Sequence, residues 1–182
     1  MQETIKSVTD KISSYNIFNN LLPGIIFCAL LQRTTRFNLS NEDILTQLFI
    51  WYFTGMVLSR IGSIYVERIL KAIKIKKQKY VVFADYNKYV DAAKVEPFIK
   101  TLSETNNTYR TIISVLVVWL MAFIYDCFLR DWLHAQIPIW DTIAIIVLSL
   151  FLILLFIRSY KKQTDYINKL INHHFSNVEG EQ

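Results

Sequence analysis

The run Ile137-Pro-Ile-Trp-Asp-Thr-Ile-Ala-Ile-Ile-Val-Leu-Ser-Leu-Phe-Leu-Ile-Leu-Leu-Phe-Ile157 has 21 residues and one charge, Asp141. At about 1.5 Å per residue, a helix of that length crosses a hydrocarbon core of ~30 Å. Thr111 to Leu129 repeats the pattern, with Asp126 its one charge. Ile44 to Val66 is a third run, interrupted by Gln47 and Arg60. Tyr15 to Leu31 is the weakest, because Asn19, Asn20 and the Pro23-Gly24 pair lie inside it. A re-entrant or interfacial helix is its alternative reading. The polar Asn pair and the Gln32-Arg33-Thr34 sequence that follows argue against a cleaved signal.

Composition agrees with these four runs. Of 182 residues, 53% are hydrophobic and 19% charged, below the ~25% of soluble domains. That excludes disorder for most of the chain. Two Cys make neither a disulfide scaffold nor a four-thiolate zinc site. Neither a phosphate-loop nor a dinucleotide fingerprint occurs, and no nucleophile has a plausible base and orienter, so no enzyme and no cofactor are expected. The net charge of +5 is read as membrane topology rather than nucleic-acid binding, since no base-reading module is evident.

Lysine and arginine set the orientation. Lys6 and Lys11 precede the first run, and Arg33 and Arg36 follow it. Ten cations fall between Glu67 and Arg110, only Arg130 lies between the last two runs, and Arg158, Lys161, Lys162 and Lys169 follow them. Alternating sides puts sixteen cations on one face and three on the other, with Arg60 inside a run. The expected fold is therefore an all-α membrane protein with four transmembrane helices. Both termini are cytoplasmic, and a helical cytoplasmic segment joins helices 2 and 3. Its parts are an amphipathic segment 1–14, helices 1 and 2 within 15–66, a basic, aromatic segment 67–110, helices 3 and 4 within 111–158, and a tail 159–182.

Within that frame, Ser40 is expected to cap the second helix through the Asp43 amide. Gly55, Ser59 and Ser63, spaced by four, form a small-residue stripe suited to close helix packing within the monomer, or else to a subunit interface. Arg60 is costly inside a span unless it snorkels or finds partners. Asn19 and Asn20, with carbonyls freed by a break at Pro23-Gly24, would supply those partners in an inner polar cluster. Asp126 and Asp141 fall near the outer ends, where water or Arg130 is the expected contact. Lys71, Lys74, Lys76, Lys77 and Lys79 directly follow a span and suit anionic lipid headgroups. Asp85 is expected to cap a helix carrying Tyr89, and Pro97 to start the next. Tyr80, Phe83, Tyr86 and Tyr89 are packing groups or a partner-binding surface. His173 and His174 are adjacent, a poor spacing for a metal.

Three stretches, Ser14 to Phe27, Arg60 to Glu67 and Leu102 to Thr111, resemble small multi-pass proteins found beside bacterial anti-phage genes. The four-span plan is similar to that of the membrane component of the Kiwa defence system. The resemblance implies a homo-oligomeric sensor in the bacterial inner membrane, working with a soluble cytoplasmic effector. From the residues themselves, a sensor or anchor that recruits a cytoplasmic effector competes with an oligomeric pore that depolarises the membrane.

Overall fold

The computed structural model describes residues 17–75 and 77–179. The amphipathic segment expected at Met1 to Ser14 lies outside them. A π-helical turn, Ile17–Leu21, leads without interruption into α1, Leu22–Thr34. Helix α2 is Ile44–Ile61, extended by a π turn, Gly62–Val66, into α3, Glu67–Ala72. A two-stranded hairpin follows, β1 Lys74–Ile75 against β2 Gln78–Lys79. Helix α4 is Tyr86–Val95 and α5 is Phe98–Ile124. A third π turn, Tyr125–Leu129, joins α5 to α6, Arg130–Gln136. The last helix, α7, runs unbroken from Trp140 to Glu179.

Among the described residues, three helical stretches are long and apolar enough to cross a membrane: Ile44–Ala72, Phe98–Gln136 and Trp140–Phe175. The chain is a multi-pass membrane protein on that ground. The first helix is not among them. With its π turn it reaches about 27 Å at 1.5 Å per residue, and two Asn lie in its opening turn. It is nonetheless deeply enclosed, burying Pro23, Gly24, Phe27, Cys28 and Leu31 against α2 and α5. Phe27, Cys28, Leu31, Leu58 and Val115 make the core, with Trp51, Val118 and Trp119 packed round it.

Glycine permits this close packing. A Cβ on Gly24 would stand 1.8 Å from the Trp51 carbonyl oxygen, and one on Gly55 would stand 1.6 Å from that of Asn20. The two backbones are therefore in direct contact where α1 crosses α2. The expected break at Pro23-Gly24 does not occur. Pro23 sits in the first turn of α1, directly after the π turn, and the chain stays helical through it. Gly62 faces the other way, toward Ser114 Oγ and the Arg110 carbonyl of α5. Small residues of α2 and its π turn thus meet neighbours on more than one side within one chain.

Helix α7 is attached more lightly. Leu155 is fully buried, and Phe156 and Phe151 approach Phe53 and Tyr65. Ile145, Leu148, Leu150, Ile153 and Leu154 stay exposed on several sides, as a lipid-facing helix requires.

Two sets of contacts define the ends of the bundle. At one end, the link after α1 meets the turn after α5. Arg36 Nη1 and Nη2 pair with Asp131 at 2.8 and 3.0 Å, and its backbone N–H donates to Asp126 Oδ2 at 3.0 Å. Arg130 Nη1 reaches Asp126 Oδ1 at 3.1 Å. Two cations thus balance two acids. At the other end, α3, the start of α5 and the second half of α7 converge on Glu67.

Local expectations need two corrections. The cap of α2 is Asp43, not Ser40, because Asp43 Oδ2 accepts from the Thr46 amide at 2.8 Å while the Ser40 amide turns back to Asn38. The segment after α3 is not wholly helical. It folds into the hairpin, with Lys77 in the left-handed region at φ 68°. Asp85 does cap α4, accepting from the Asn87 amide at 2.9 Å, and Pro97 immediately precedes α5.

The glycine contacts rank three substitutions. Gly24→Ala and Gly55→Ala press a methyl into backbone and are expected to destabilise by about 3 kcal/mol or more. Gly62→Ala meets the Ser114 hydroxyl at 2.7 Å and the Arg110 carbonyl oxygen at 3.2 Å, looser contacts than those at Gly24 and Gly55, and is expected to cost less, about 1–2 kcal/mol. Thermal unfolding in detergent measures the order, and equal effects at Gly55 and Gly62 would contradict the backbone contact.

Candidate functional site

Buried polar groups must find partners, and at the Glu67 end they form two connected layers. The deeper layer starts in the first π turn. Asn19 Nδ2 donates to Ser59 Oγ at 2.9 Å and to Asn20 Oδ1 at 3.2 Å. Asn19 Oδ1 accepts from Thr111 Oγ1 at 3.0 Å. The same threonine hydroxyl lies 2.9 Å from the Asn107 carbonyl, and its single hydrogen serves one acceptor at a time. One asparagine thereby ties together α1, α2 and α5.

Arg60 takes no part in that layer. It is exposed and makes no hydrogen bond or ion pair among the described residues. The expected bonds from its guanidinium to Asn19 and Asn20 are absent, because both amides are engaged by Ser59, Thr111 and each other. All three residues nonetheless line one cavity of about 690 Å³.

The second layer centres on Glu67, which is 8% exposed. Lys71 Nζ lies 2.7 Å from its Oε1. Arg110 Nη1 and Lys162 Nζ lie 2.8 and 2.9 Å from its Oε2. Lys162 also donates to the Ser63 carbonyl at 2.7 Å and to Ser63 Oγ at 2.9 Å, so all three of its hydrogens are used. One carboxylate thus holds three cations from three parts of the chain. Sequence reasoning placed Glu67 only as the start of the soluble segment. The Glu67–Lys71 spacing of four was visible, but Arg110 and Lys162 stand 43 and 95 residues away.

The π turn Gly62–Val66 positions this centre. It lies between Ser59 and Glu67 and widens the helix by one residue per turn. Ser59 can therefore meet Asn19 while Ser63 and Glu67 meet α7. A second cavity of about 580 Å³ opens on the far side of Glu67, between α3 and α7.

The predicted lysine patch divides. Lys71 is drawn to Glu67 and sits 4.3 Å over the Phe83 ring, with its side chain still 47% exposed. Lys74, Lys77 and Lys79 are exposed on the hairpin. Lys76 lies outside the described residues. The aromatic set divides too. Tyr80 and Phe83 are exposed, whereas Tyr86 packs against Tyr166 of α7 with ring centroids 5.5 Å apart, and Tyr89 is half-buried beside the cavity. His173 of α7 bonds through Nε2 to Asp91 Oδ1 of α4 at 2.8 Å, clamping the second half of α7 to α4.

Among the described residues, no group of three His, Cys, Asp or Glu is placed to hold a metal ion. Comparison with protein-family models, curated proteins and solved structures finds no match.

Removing the shared acid leaves three cations facing each other. Glu67→Gln is expected to destabilise the chain by about 1–3 kcal/mol, the cations being partly solvated. Adding Lys162→Gln is expected to recover part of the loss. A double-mutant cycle measures that coupling, and strict additivity would show that the pair is not a unit.

The tail clamp gives a second test. The His173 ring, and then Lys94, hold the Asp91 carboxyl below its ordinary range. A depressed folded value means the clamp is complete above the ordinary pKa of ~3.9 and is lost as pH falls through the folded value. Asp91→Asn at neutral pH is expected to speed hydrogen exchange in the second half of α7 and leave α1 unchanged. Unchanged exchange in α7 would show that the clamp does not hold the tail.

Proposed function

We propose that the chain is a multi-pass sensor or anchor of the bacterial inner membrane that recruits or controls a soluble cytoplasmic effector. The Glu67 end faces the cytoplasm on this reading, in accord with the excess of lysine and arginine there. The first helix completes four spans and leaves both termini inside. A place in anti-phage defence rests on the resemblance of the three stretches described above, and a homo-oligomeric state on the same ground.

One observation carries the reading. The soluble segment is not tethered by loose linkers. It continues α2 and α5 directly and is drawn onto α7 by Glu67, Tyr86–Tyr166 and Asp91–His173. A shift of any membrane helix at that centre must move the hairpin and α4. The pore reading has less support. The polar residues of the first helix are used in internal hydrogen bonds, and α1 and α2 touch backbone to backbone, so a conduit would have to form between copies.

Tyr80 and Phe83 are exposed and therefore better probes of a partner surface than Tyr86 or Tyr89. Affinity capture of the tagged full chain from mild detergent is expected to bring down a soluble protein in fixed ratio. Tyr80→Ser with Phe83→Ser is expected to lose that partner while membrane insertion persists. A homo-oligomer alone that makes liposomes leak ions would overturn this reading in favour of the pore.

A further inference from the structure

The cavity of about 580 Å³ between α3 and α7 lies where two apolar runs end. The run of α7 ends at Ile157, and Arg158, Lys161 and Lys162 line the cavity directly after it. The run of α2 ends at Val66, and Arg68 and Lys71 line the cavity directly after that. Against these five cations stand Asp165 and Glu67, which is already shared by Lys71, Arg110 and Lys162. Arg68 and Lys161 are exposed and have no hydrogen-bond or ion-pair partner among the described residues. Arg158 donates from Nη1 to the Tyr65 hydroxyl at 2.9 Å, which holds its guanidinium in place and leaves its other N–H groups without an acceptor among the described residues. A recess with converging donors and excess positive charge concentrates anions. Guanidinium and ammonium groups together suit phosphoryl oxygens.

The membrane side of the recess is apolar. Ile64, half-buried, lines it one turn before Arg68. On α7, Leu154 and Phe151 precede Arg158 by four and seven residues, which places them on its face, one and two turns toward the bilayer. Both are exposed, and the Phe151 ring stacks on that of Tyr65 with centroids 6.3 Å apart, so an apolar strip runs from the recess along the span. Asp165 lies a turn beyond Lys161, on the side away from the bilayer. Cations at the end of the span, apolar surface toward the bilayer centre and the unshared acid farther out follow the order in which a phospholipid presents its phosphate and chains. We propose that this recess binds one anionic phospholipid of the inner leaflet, its phosphoryl group among Arg68, Arg158 and Lys161 and an acyl chain along Ile64, Leu154 and Phe151. The assignment rests on the cytoplasmic orientation that the proposed function gives to the Glu67 end, and it does not require the soluble effector.

The test uses the full chain in nanodiscs of phosphatidylcholine, with rising fractions of phosphatidylglycerol or with glycerol phosphate added as the free phosphoryl compound. Phosphatidylglycerol is expected to raise the unfolding temperature saturably, and glycerol phosphate to do so much less. Arg68→Gln and Lys161→Gln remove exposed cations that hold no other described residue, so each is expected to leave the unfolding temperature in phosphatidylcholine unchanged. Each is expected to raise about fivefold the phosphatidylglycerol fraction that gives half the shift. Lys74→Gln with Lys77→Gln and Lys79→Gln removes more charge from the hairpin and is expected to change little. The proposal is overturned if phosphatidylglycerol gives no shift, if the two cavity variants respond as the unaltered chain does, or if the hairpin variant loses as much as they do. Equal protection by glycerol phosphate would also overturn it, by removing the lipid from the assignment. A lipid shift without any captured effector supports the recess and overturns only the effector reading. Orientation is measured separately, by labelling Asn38→Cys in a Cys127→Ser background with a membrane-impermeant maleimide in spheroplasts. Label that appears only after the membrane is opened refutes the orientation, and the inner-leaflet assignment with it.

Discussion

Where α1 crosses α2, Gly24 and Gly55 bring two backbones together with no room for a side-chain carbon on either. In lipid, helices gain little by hiding apolar surface from one another, so association relies on close packing and on polar contacts that it makes possible. The glycine crossing supplies the first and enables the second. It brings the start of the first helix within reach of α2, and only then can Asn19 meet Ser59 and Thr111. A wider crossing would leave an asparagine amide in an apolar setting without partners, at a cost of a few kcal/mol.

The Glu67 centre is built on that geometry and follows a different logic. Burying one carboxylate with three cations is expensive in desolvation, and replacing such groups with apolar ones is often neutral or stabilising. Its value lies in specifying arrangement. The Glu67 oxygens accept from Lys71 of α3, Arg110 of α5 and Lys162 of α7, so one carboxylate ties those three helices to each other. At the opposite end, Arg36, Asp126, Arg130 and Asp131 balance each other and fix the links. The two clusters differ in consequence, since those four residues balance to zero while Glu67 and its three cations retain positive charge.

Much of the helical plan was legible in the sequence, because 19–23 residues of nearly unbroken apolar character have few other readings. The Asp85 cap was legible for the same local reason. The site was legible only in part. Asn19, Asn20 and Arg60 were singled out and do line one cavity, but the bonds among them were misassigned. Three π turns explain the difficulty, carrying Asn19 and Asn20, Ser63, and Asp126, with Glu67 directly after the second. A π turn inserts a residue and rotates everything beyond it, so spacing rules based on 3.6 residues per turn lose register there. Gly55, Ser59 and Ser63 read as one stripe, yet they face α1, the first π turn and α7. The hairpin escaped notice because two-residue strands have no periodicity to detect, and Lys77 is an unusual residue for a left-handed turn.

The order in which the chain is made gives the Glu67 centre one more consequence. Arg110 is synthesised 43 residues after Glu67, and Lys162 95 residues after it. Until α7 has inserted, the Ser63 carbonyl and hydroxyl lack their lysine and the acid is only partly neutralised. A chain that has not yet placed α7 therefore leaves this polar centre open, and the arrival of Lys162 closes it.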